Sequence, residues 1–220
     1  MVELIRGLDP ARVRANLAEV REKIDVAARR AGRDPTGVEI VAATKYVPLE
    51  ELGALAEAGV GVVGENRAQD LQAKRERWGE RFAWDFIGHL QSRKVKAILP
   101  GVRLVHSVAS ESVLAQLERH GSPDTEVLVE VNLSGEESKS GIAPEELEGF
   151  LARSPVRVTG LMTMPALCDD PEQSRPFFAR LRELGTERGL GRLSMGTTQD
   201  FAVAVEEGST IVRIGARLYR

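Results

Sequence analysis

Short apolar runs alternate along this chain with longer segments in which apolar residues recur every three or four positions. The first long segment starts at Asp9 and Pro10 and stops at Gly32, a pattern typical of a capped helix. The apolar residues that share one helical face within it are Val13, Leu17, Val20, Ile24 and Ala27 or Ala28. The pattern therefore predicts a long amphipathic helix before the first strand.

Eight further runs have the length and apolar character of strands. They are Glu39–Thr44, Val60–Gly64, Trp84–Gly88, Leu104–Ser107, Glu126–Asn132, Arg157–Thr163, Leu193–Met195 and Thr210–Ile214. The segments between them have helical spacing, and several end at a glycine. Such regular alternation is typical of the α/β class. It predicts a single (β/α)8 TIM barrel that spans residues 1–220 and carries an extra N-terminal helix.

Only six residues follow Ile214, the end of the eighth predicted strand. We therefore expect the N-terminal helix to cover the side of the barrel where a last helix would otherwise pack. The first strand is not followed by a Gly-x-Gly-x-x-Gly motif, which argues against an open dinucleotide-binding sheet.

The composition is that of a globular protein with a substantial core, since 42% of the 220 residues are hydrophobic and 29% are charged. A net charge of -3 without a dense basic block argues against nucleic-acid binding. The sequence has neither an apolar signal segment nor a membrane-spanning stretch, so we expect a cytoplasmic protein without membrane contact. One cysteine, Cys168, and three widely separated histidines predict neither a disulfide nor a metal site.

The first predicted strand ends in a lysine. Residues 38–44 are almost all apolar or small, as in a strand buried on both faces, and Lys45 follows directly. One interpretation is a lysine that extends into solvent past the sheet. The other is a covalent anchor, because side chains at the carboxyl ends of barrel strands face the active-site mouth. Polar residues also follow most of the other strands, which favours a functional mouth.

The last two predicted loops indicate a phosphate site. The stretch "SMGTTQD" offers hydroxyls, a glycine and a helix start, and "RIGA" offers a second glycine amide. Barrels of this class commonly bind phosphate after their seventh and eighth strands. Thr198 could instead be a plain helix N-cap. A lysine combined with a phosphate site suggests either an aldolase acting on sugar phosphates or a site for pyridoxal 5'-phosphate (PLP).

Arg213 favours the second chemistry. A guanidinium only donates hydrogen bonds, so beside a pyridine nitrogen it would leave that nitrogen unprotonated and make the cofactor a weak electron sink. The alternative interpretation of Arg213 is an ion pair inside the barrel, with Glu39 as one partner.

Seven segments resemble the pyridoxal phosphate homeostasis proteins of the YggS/PROSC type, in the same order and at similar spacings from Val38 to Ala216. They are "ATKYVP", "GVVGENRAQDL", "WDFIGHLQSRK", "HSVAS", "VLVEVNLSGEESKSGI", "VTGLMTMP" and "LSMGTTQDFAVAVEEGSTIVRIG". The resemblance implies a single barrel related to the N-terminal domain of alanine racemase, with PLP held as an internal aldimine.

The resemblance also implies roles for individual residues. It makes Lys45 the Schiff-base lysine and places Arg213 at the pyridine nitrogen. It assigns the remaining cofactor contacts to the ring neighbours Asn66 and Met162 and to the phosphate ligands Ser194, Gly215, Ala216 and Thr198. The sequence departs from the family where "SMGMS" is replaced by "SMGTT" and where Ala216 stands in place of a frequent threonine. The second change removes a hydroxyl from the expected phosphate site.

Proteins of this type are thought to carry or buffer PLP and to supply apoenzymes, so the resemblance implies no catalytic residue. The alternative is a PLP-dependent amino-acid racemase of low activity, which would need a second base. Tyr46 and Tyr219 are the only tyrosines. By strand alternation Tyr46 is expected to point away from Lys45, and Tyr219 is expected in a mobile tail. Without a racemase-type second domain we expect a monomer. Lys139 is a candidate for transient contact with the cofactor during transfer.

Overall fold

In the computed structural model, which describes residues 4–136, 139–166 and 168–220, eight parallel strands close into a barrel in sequence order. The strands are β1 Glu39–Ala43, β2 Val62–Glu65, β3 Ala83–Phe86, β4 Leu104–Val108, β5 Glu126–Glu130, β6 Arg157–Met162, β7 Arg192–Thr197 and β8 Ile211–Ile214. All eight predicted strands are present, and the predicted (β/α)8 barrel is confirmed.

Helices follow the strands on the outside of the barrel. They are α1 Pro10–Arg30, α2 Leu52–Glu57, α3 Ala68–Trp78, α4 Val95–Ile98, α5 Glu111–His120, α6 Leu147–Ala152, α7 Arg175–Glu187, α8 Phe201–Glu206 and α9 Ala216–Tyr219. Several of the shorter ones are preceded by a 3-10 turn. No helix in the described ranges is long and apolar enough to cross a membrane.

The N-terminal helix α1 begins as the sequence predicts. The side chain of Asp9 accepts a hydrogen bond from the Ala11 amide at 3.0 Å, and Pro10 occupies the first helical position. The buried face consists of Val13, Val20, Ile24, Ala27 and Ala28. This face packs against α2, α8 and α9, so α1 covers the side on which the last strand is followed by only a one-turn helix.

Alternation along the strands separates two apolar regions. Inside the barrel a small cluster is formed by Val41, Leu104, Leu128, Met162 and Ile211. The larger cluster lies between the strands and the surrounding helices. Because Val41 points inward, Thr44 lies on the outward side of β1. Lys45 follows in the turn after the strand end, at the carboxyl rim of the barrel.

Candidate functional site

Lys45 lies two residues past the end of β1, in a turn at the carboxyl rim. Its side chain is exposed, and its Nζ lies 4.8 Å from the centre of the Tyr46 ring, a cation–π contact. The expectation that Tyr46 points away from Lys45 is therefore wrong. The physical reason is that β1 ends at Ala43, and residues 45 and 46 form a turn in which strand alternation does not apply.

A buried polar cluster supports Lys45 from the outer side of β1. The Thr44 hydroxyl donates to Glu65 Oε1 at 2.5 Å, and Lys74 Nζ donates to the Thr44 carbonyl at 2.8 Å and also to Glu65 Oε1. All three residues are buried. Since the Thr44 carbonyl belongs to the peptide that joins Thr44 to Lys45, Lys74 anchors the backbone directly before the candidate anchor lysine. Sequence analysis missed Lys74, because its position on α3 resembles an ordinary surface lysine.

Arg213 lies inside the barrel on β8 and is 6% exposed. Its Nη1 donates to the Ser194 hydroxyl and, at 2.8 Å, to the Ser194 carbonyl. Its Nη2 donates to the Thr163 carbonyl at 3.0 Å. Burial lowers the pKa of Arg213 to about 10, so the guanidinium remains charged at neutral pH. The alternative partner considered for it, Glu39, instead binds Arg103 at 2.5 and 2.7 Å.

Ser194 is completely buried on β7, and its hydroxyl lies between Arg213 and His106. The structure therefore places this hydroxyl in the barrel interior with the guanidinium, apart from the hydroxyl of Thr198. His106 continues the contact to Asp85 at 3.0 Å, and Asp85 is also bound by Arg103. Sequence analysis missed this chain. The available signal in the sequence was strand alternation, which places His106 on the same inward face of β4 as Leu104.

Thr198 and Gly215 are brought together at the rim, where the Gly215 amide donates to the Thr198 hydroxyl at 3.2 Å. Ala216 follows as the first residue of α9. The N-cap position of α8 is occupied by Asp200, so the interpretation of Thr198 as a plain N-cap is wrong. The expected phosphate loops after β7 and β8 thus meet, with Thr198 rather than Ser194 beside the glycine amide.

Asn66 and Met162 lie at two other strand ends. Asn66 follows β2, and its Oδ1 is buried without a hydrogen-bond partner among the described residues. Met162 ends β6 and packs in the apolar cluster inside the barrel. A cavity of about 270 Å³ opens at the mouth, and its lining includes Lys139, Met164, Gly196, Thr197, Asp200 and Arg213. Among the predicted site residues, Arg213 lines this cavity, and the other lining residues come from the end of β7 and from the loops after β5, β6 and β7.

The fifth strand contributes Glu130 to the barrel interior, which sequence analysis missed. Ser140 Oγ donates to Glu130 Oε2 at 3.1 Å and lies 3.2 Å from His89 Nδ1. Burial raises the pKa of Glu130. The sequence predicts that this strand extends to Asn132, but β5 ends at Glu130, and Asn132 Nδ2 donates to the Glu136 carbonyl at 2.9 Å beyond the strand. Glu130 lies two residues after the inward-facing Leu128, so strand alternation would have identified it as an inward residue.

Comparison with known proteins identifies the family. The protein-family model described as "Alanine racemase, N-terminal domain" matches residues 13–220. A pyridoxal phosphate homeostasis protein of Aquifex aeolicus is 40% identical over 217 residues, which cover 92% of this chain and 95% of the relative. The chain belongs to the pyridoxal phosphate homeostasis protein family.

Two further comparisons agree with this family. The pyridoxal phosphate homeostasis protein of Pseudomonas aeruginosa is 37% identical over 214 residues, covering 93% of either chain. The solved structure of PipY from Synechococcus elongatus PCC7942, with PLP bound, is 26% identical with a TM-score of 0.78, and covers 94% of this chain and 100% of PipY. The resemblance inferred from the seven sequence segments is thereby confirmed.

Proposed function

We propose that this protein binds PLP through Lys45 and serves as a carrier or buffer in intracellular PLP homeostasis. The observation that carries the proposal is Arg213, a charged guanidinium held inside the barrel mouth beside a cavity. Family membership supports the same function, as does the PLP-bound structure of PipY.

The donor set fits this cofactor. A guanidinium has five N–H groups, and three hydrogen bonds hold Arg213 to Ser194 and Thr163, so at least two N–H groups lack an acceptor among the described residues. The buried Oδ1 of Asn66 likewise has no partner in the described part of the chain. Buried polar groups normally have partners. A ligand with its own polar atoms would complete both side chains.

Each residue of the site then has a role. When bound, PLP would supply an aldehyde that reacts with amines, and Lys45 would hold the cofactor through its side-chain amine. Arg213 donates to the ring nitrogen. Thr198, Gly215 and Ala216 form the phosphate site, where Ala216 contributes only its backbone. We assign Ser194 to the support of Arg213 instead of to the phosphate, because its hydroxyl is already engaged inside the barrel.

Asn66 and Met162 complete the site as neighbours of the ring. Asn66 offers an unpaired oxygen at the end of β2, and Met162 offers an apolar, adaptable surface at the end of β6.

A carrier is favoured over a racemase because Tyr219, one of the two tyrosines, is engaged elsewhere in the structure. The Tyr219 hydroxyl is not in a mobile tail. It is buried in α9 and donates to the Ala43 carbonyl at 3.1 Å, and burial raises the pKa of this phenol far above its usual value. Arg213 at the ring nitrogen also disfavours the protonated ring that stabilises a carbanion. Tyr46, the other tyrosine, lies beside the Lys45 amine and is the remaining tyrosine candidate for a base.

The test is the visible spectrum of the purified protein with added PLP, before and after borohydride reduction. We expect a yellow protein whose label is reduced onto Lys45, no label on Lys45→Ala, and normal labelling of Lys139→Ala, which removes another amine at the mouth. Labelling of Lys45→Ala at the wild-type level would refute the anchor. Racemisation of alanine that depends on Tyr46 would favour the racemase alternative.

The wider role has its own measurements. We propose a single-domain monomer in the cytoplasm that passes PLP to apoenzymes. A monomer predicts a molar mass near the 24.0 kDa of the chain in sedimentation equilibrium. Transfer predicts that a PLP-dependent apoenzyme gains activity faster from the loaded protein than from an equal amount of released cofactor.

A further inference from the structure

A continuous chain of polar side chains crosses the barrel interior beneath Arg213. Ser194 Oγ lies 2.8 Å from His106 Nδ1, and His106 Nε2 lies 3.0 Å from Asp85 Oδ2. Arg103 closes the far end by donating to both oxygens of Asp85, at 3.0 and 2.7 Å. Ser194, His106 and Asp85 have almost no contact with solvent. Water therefore does not compete for these hydrogen bonds.

The chemistry of the groups sets the direction of every hydrogen bond. Burial opposes ionisation of Asp85, but the hydrogen bonds from His106 and Arg103 outweigh burial and lower its pKa. An ionised carboxylate only accepts, so His106 must present its proton on Nε2. Burial lowers the pKa of His106, so the ring is neutral and its Nδ1 is an acceptor.

The same reasoning sets the direction of hydrogen-bond donation between His106 and Arg213. Because Nδ1 accepts, the Ser194 hydroxyl must donate its proton to His106. Its oxygen then faces Arg213 with a free lone pair, and Arg213 Nη1 donates to that lone pair. Each member of the chain thus has only one consistent role.

We propose that His106 and Asp85 are positioning residues that hold Ser194 as an acceptor for Arg213 and thereby aim the free N–H groups of Arg213 at the ring nitrogen of PLP. This inference rests on the proposed function. If the Ser194 hydroxyl were free to rotate, its proton could face the guanidinium, and Arg213 would keep its contact with the Ser194 carbonyl but lose the one with the hydroxyl. The chain would then determine how firmly the ring nitrogen is kept as an unprotonated, hydrogen-bonded acceptor.

A purely structural role is a weaker account of these residues. Buried charged groups are costly, and apolar side chains of similar size fill barrel interiors without that cost. In this barrel several other inward positions are apolar, for example Leu104 and Leu128. The polar chain runs from the amino rim to the guanidinium of Arg213, which borders the mouth cavity. Its course fits the positioning of that guanidinium.

The experiment uses nitrogen NMR on two samples. In cofactor-free protein labelled with 15N-histidine, we expect the His106 signal to show a protonated Nε2 and an unprotonated Nδ1. It is assigned by substituting His89 and His120. In protein loaded with PLP labelled in the ring nitrogen, we expect a hydrogen-bonded, unprotonated ring nitrogen.

Two variants distinguish a positioning role of the polar chain from a general loss of structure. Asp85→Asn replaces an obligatory acceptor by an amide that can donate to Nε2 and select the other tautomer. We expect a changed ring-nitrogen shift and PLP affinity lower by about three- to ten-fold, as for the loss of one hydrogen bond. Glu39→Gln removes the other carboxylate on Arg103 but leaves Asp85 and His106 unchanged, so its ring-nitrogen shift should match that of the wild type. If Asp85→Asn does not fold, Ser194→Ala breaks the chain without a change of charge.

The outcomes are distinct. A protonated Nδ1 on His106 in the wild type would overturn the inference. A ring-nitrogen shift in Asp85→Asn and Ser194→Ala equal to that of the wild type would also overturn the inference. In that case PLP binding by the wild type would still support the proposed function. Failure of the wild type to take up labelled PLP would overturn the function and the inference together. A shift change confined to the variants that break the chain would support both.

Discussion

The buried cluster behind Lys45 allows a stability prediction. Lys74 and Glu65 have side chains that are 7% and 0% exposed, and they bind each other as well as Thr44. Removing one partner of a buried ion pair typically costs ~3–5 kcal/mol, because the other charge is left unpaired. We therefore expect Lys74→Met and Glu65→Leu each to lower the free energy of unfolding by about this amount at pH 7.

The double variant Glu65→Leu/Lys74→Met should be far less affected than the two single variants together. It leaves no unpaired charge, and the Thr44 hydroxyl keeps its contact with the Gly64 carbonyl at 3.3 Å. What is lost is the donor to the Thr44 carbonyl, at a cost of ~1–3 kcal/mol. The coupling free energy is the sum of the two single-variant losses in unfolding free energy minus the loss in the double variant. We expect it to be at least ~3 kcal/mol.

The assay is urea unfolding of the cofactor-free protein, followed by far-ultraviolet circular dichroism. Lys23→Met serves as the control, since Lys23 pairs with Glu19 on the surface of α1 with side chains that are 45% and 50% exposed. An exposed pair contributes at most ~1 kcal/mol, so this variant should unfold almost as the wild type does. Additive losses in the double variant would refute the reasoning, because they would mean that Lys74 and Glu65 do not interact.

The remaining predictions concern the mouth. Burial raises the pKa of Glu130, so the folded protein holds this proton more tightly than the unfolded chain, and the resulting stability is lost as pH rises through the raised pKa. Glu130→Gln should therefore raise the free energy of unfolding at pH 7 and flatten its decline above about pH 4, measured by urea unfolding at several pH values; an unchanged pH profile would contradict this. Gly196→Ala should weaken PLP binding and lower the melting temperature, because Gly196 has a φ of 90° and an added Cβ would lie 2.6 Å from the Ala204 side chain. Wild-type melting and affinity in that variant would refute it. Lys139→Ala should slow PLP transfer to an apoenzyme and leave binding at Lys45 intact, since Lys139 lines the mouth cavity; an unchanged transfer rate would exclude Lys139 from the transfer step.

Local spacing along the sequence was sufficient for most of the architecture. Strand-length apolar runs and capped helical segments depend on neighbours within a few residues, so they predicted eight strands, α1 and the barrel. The position of Lys45 at a strand end followed from the same pattern, as did the approach of the loops that carry Thr198 and Gly215. Errors at strand ends, such as Tyr46, arose where the backbone turns and the alternation of side chains stops.

The partners of the interior polar groups were decided only by the tertiary structure. His106 and Ser194 are 88 residues apart, Glu39 and Arg103 are 64 apart, and Arg213 and Thr163 are 50 apart. Alternation along a strand shows which residues share a face, but the stagger of the closed barrel determines which side chains of different strands lie at one level. For this reason the sequence by itself indicated a lysine, a phosphate site and an arginine at one mouth, while the hydrogen-bond chain that holds that arginine emerged only when the strands closed.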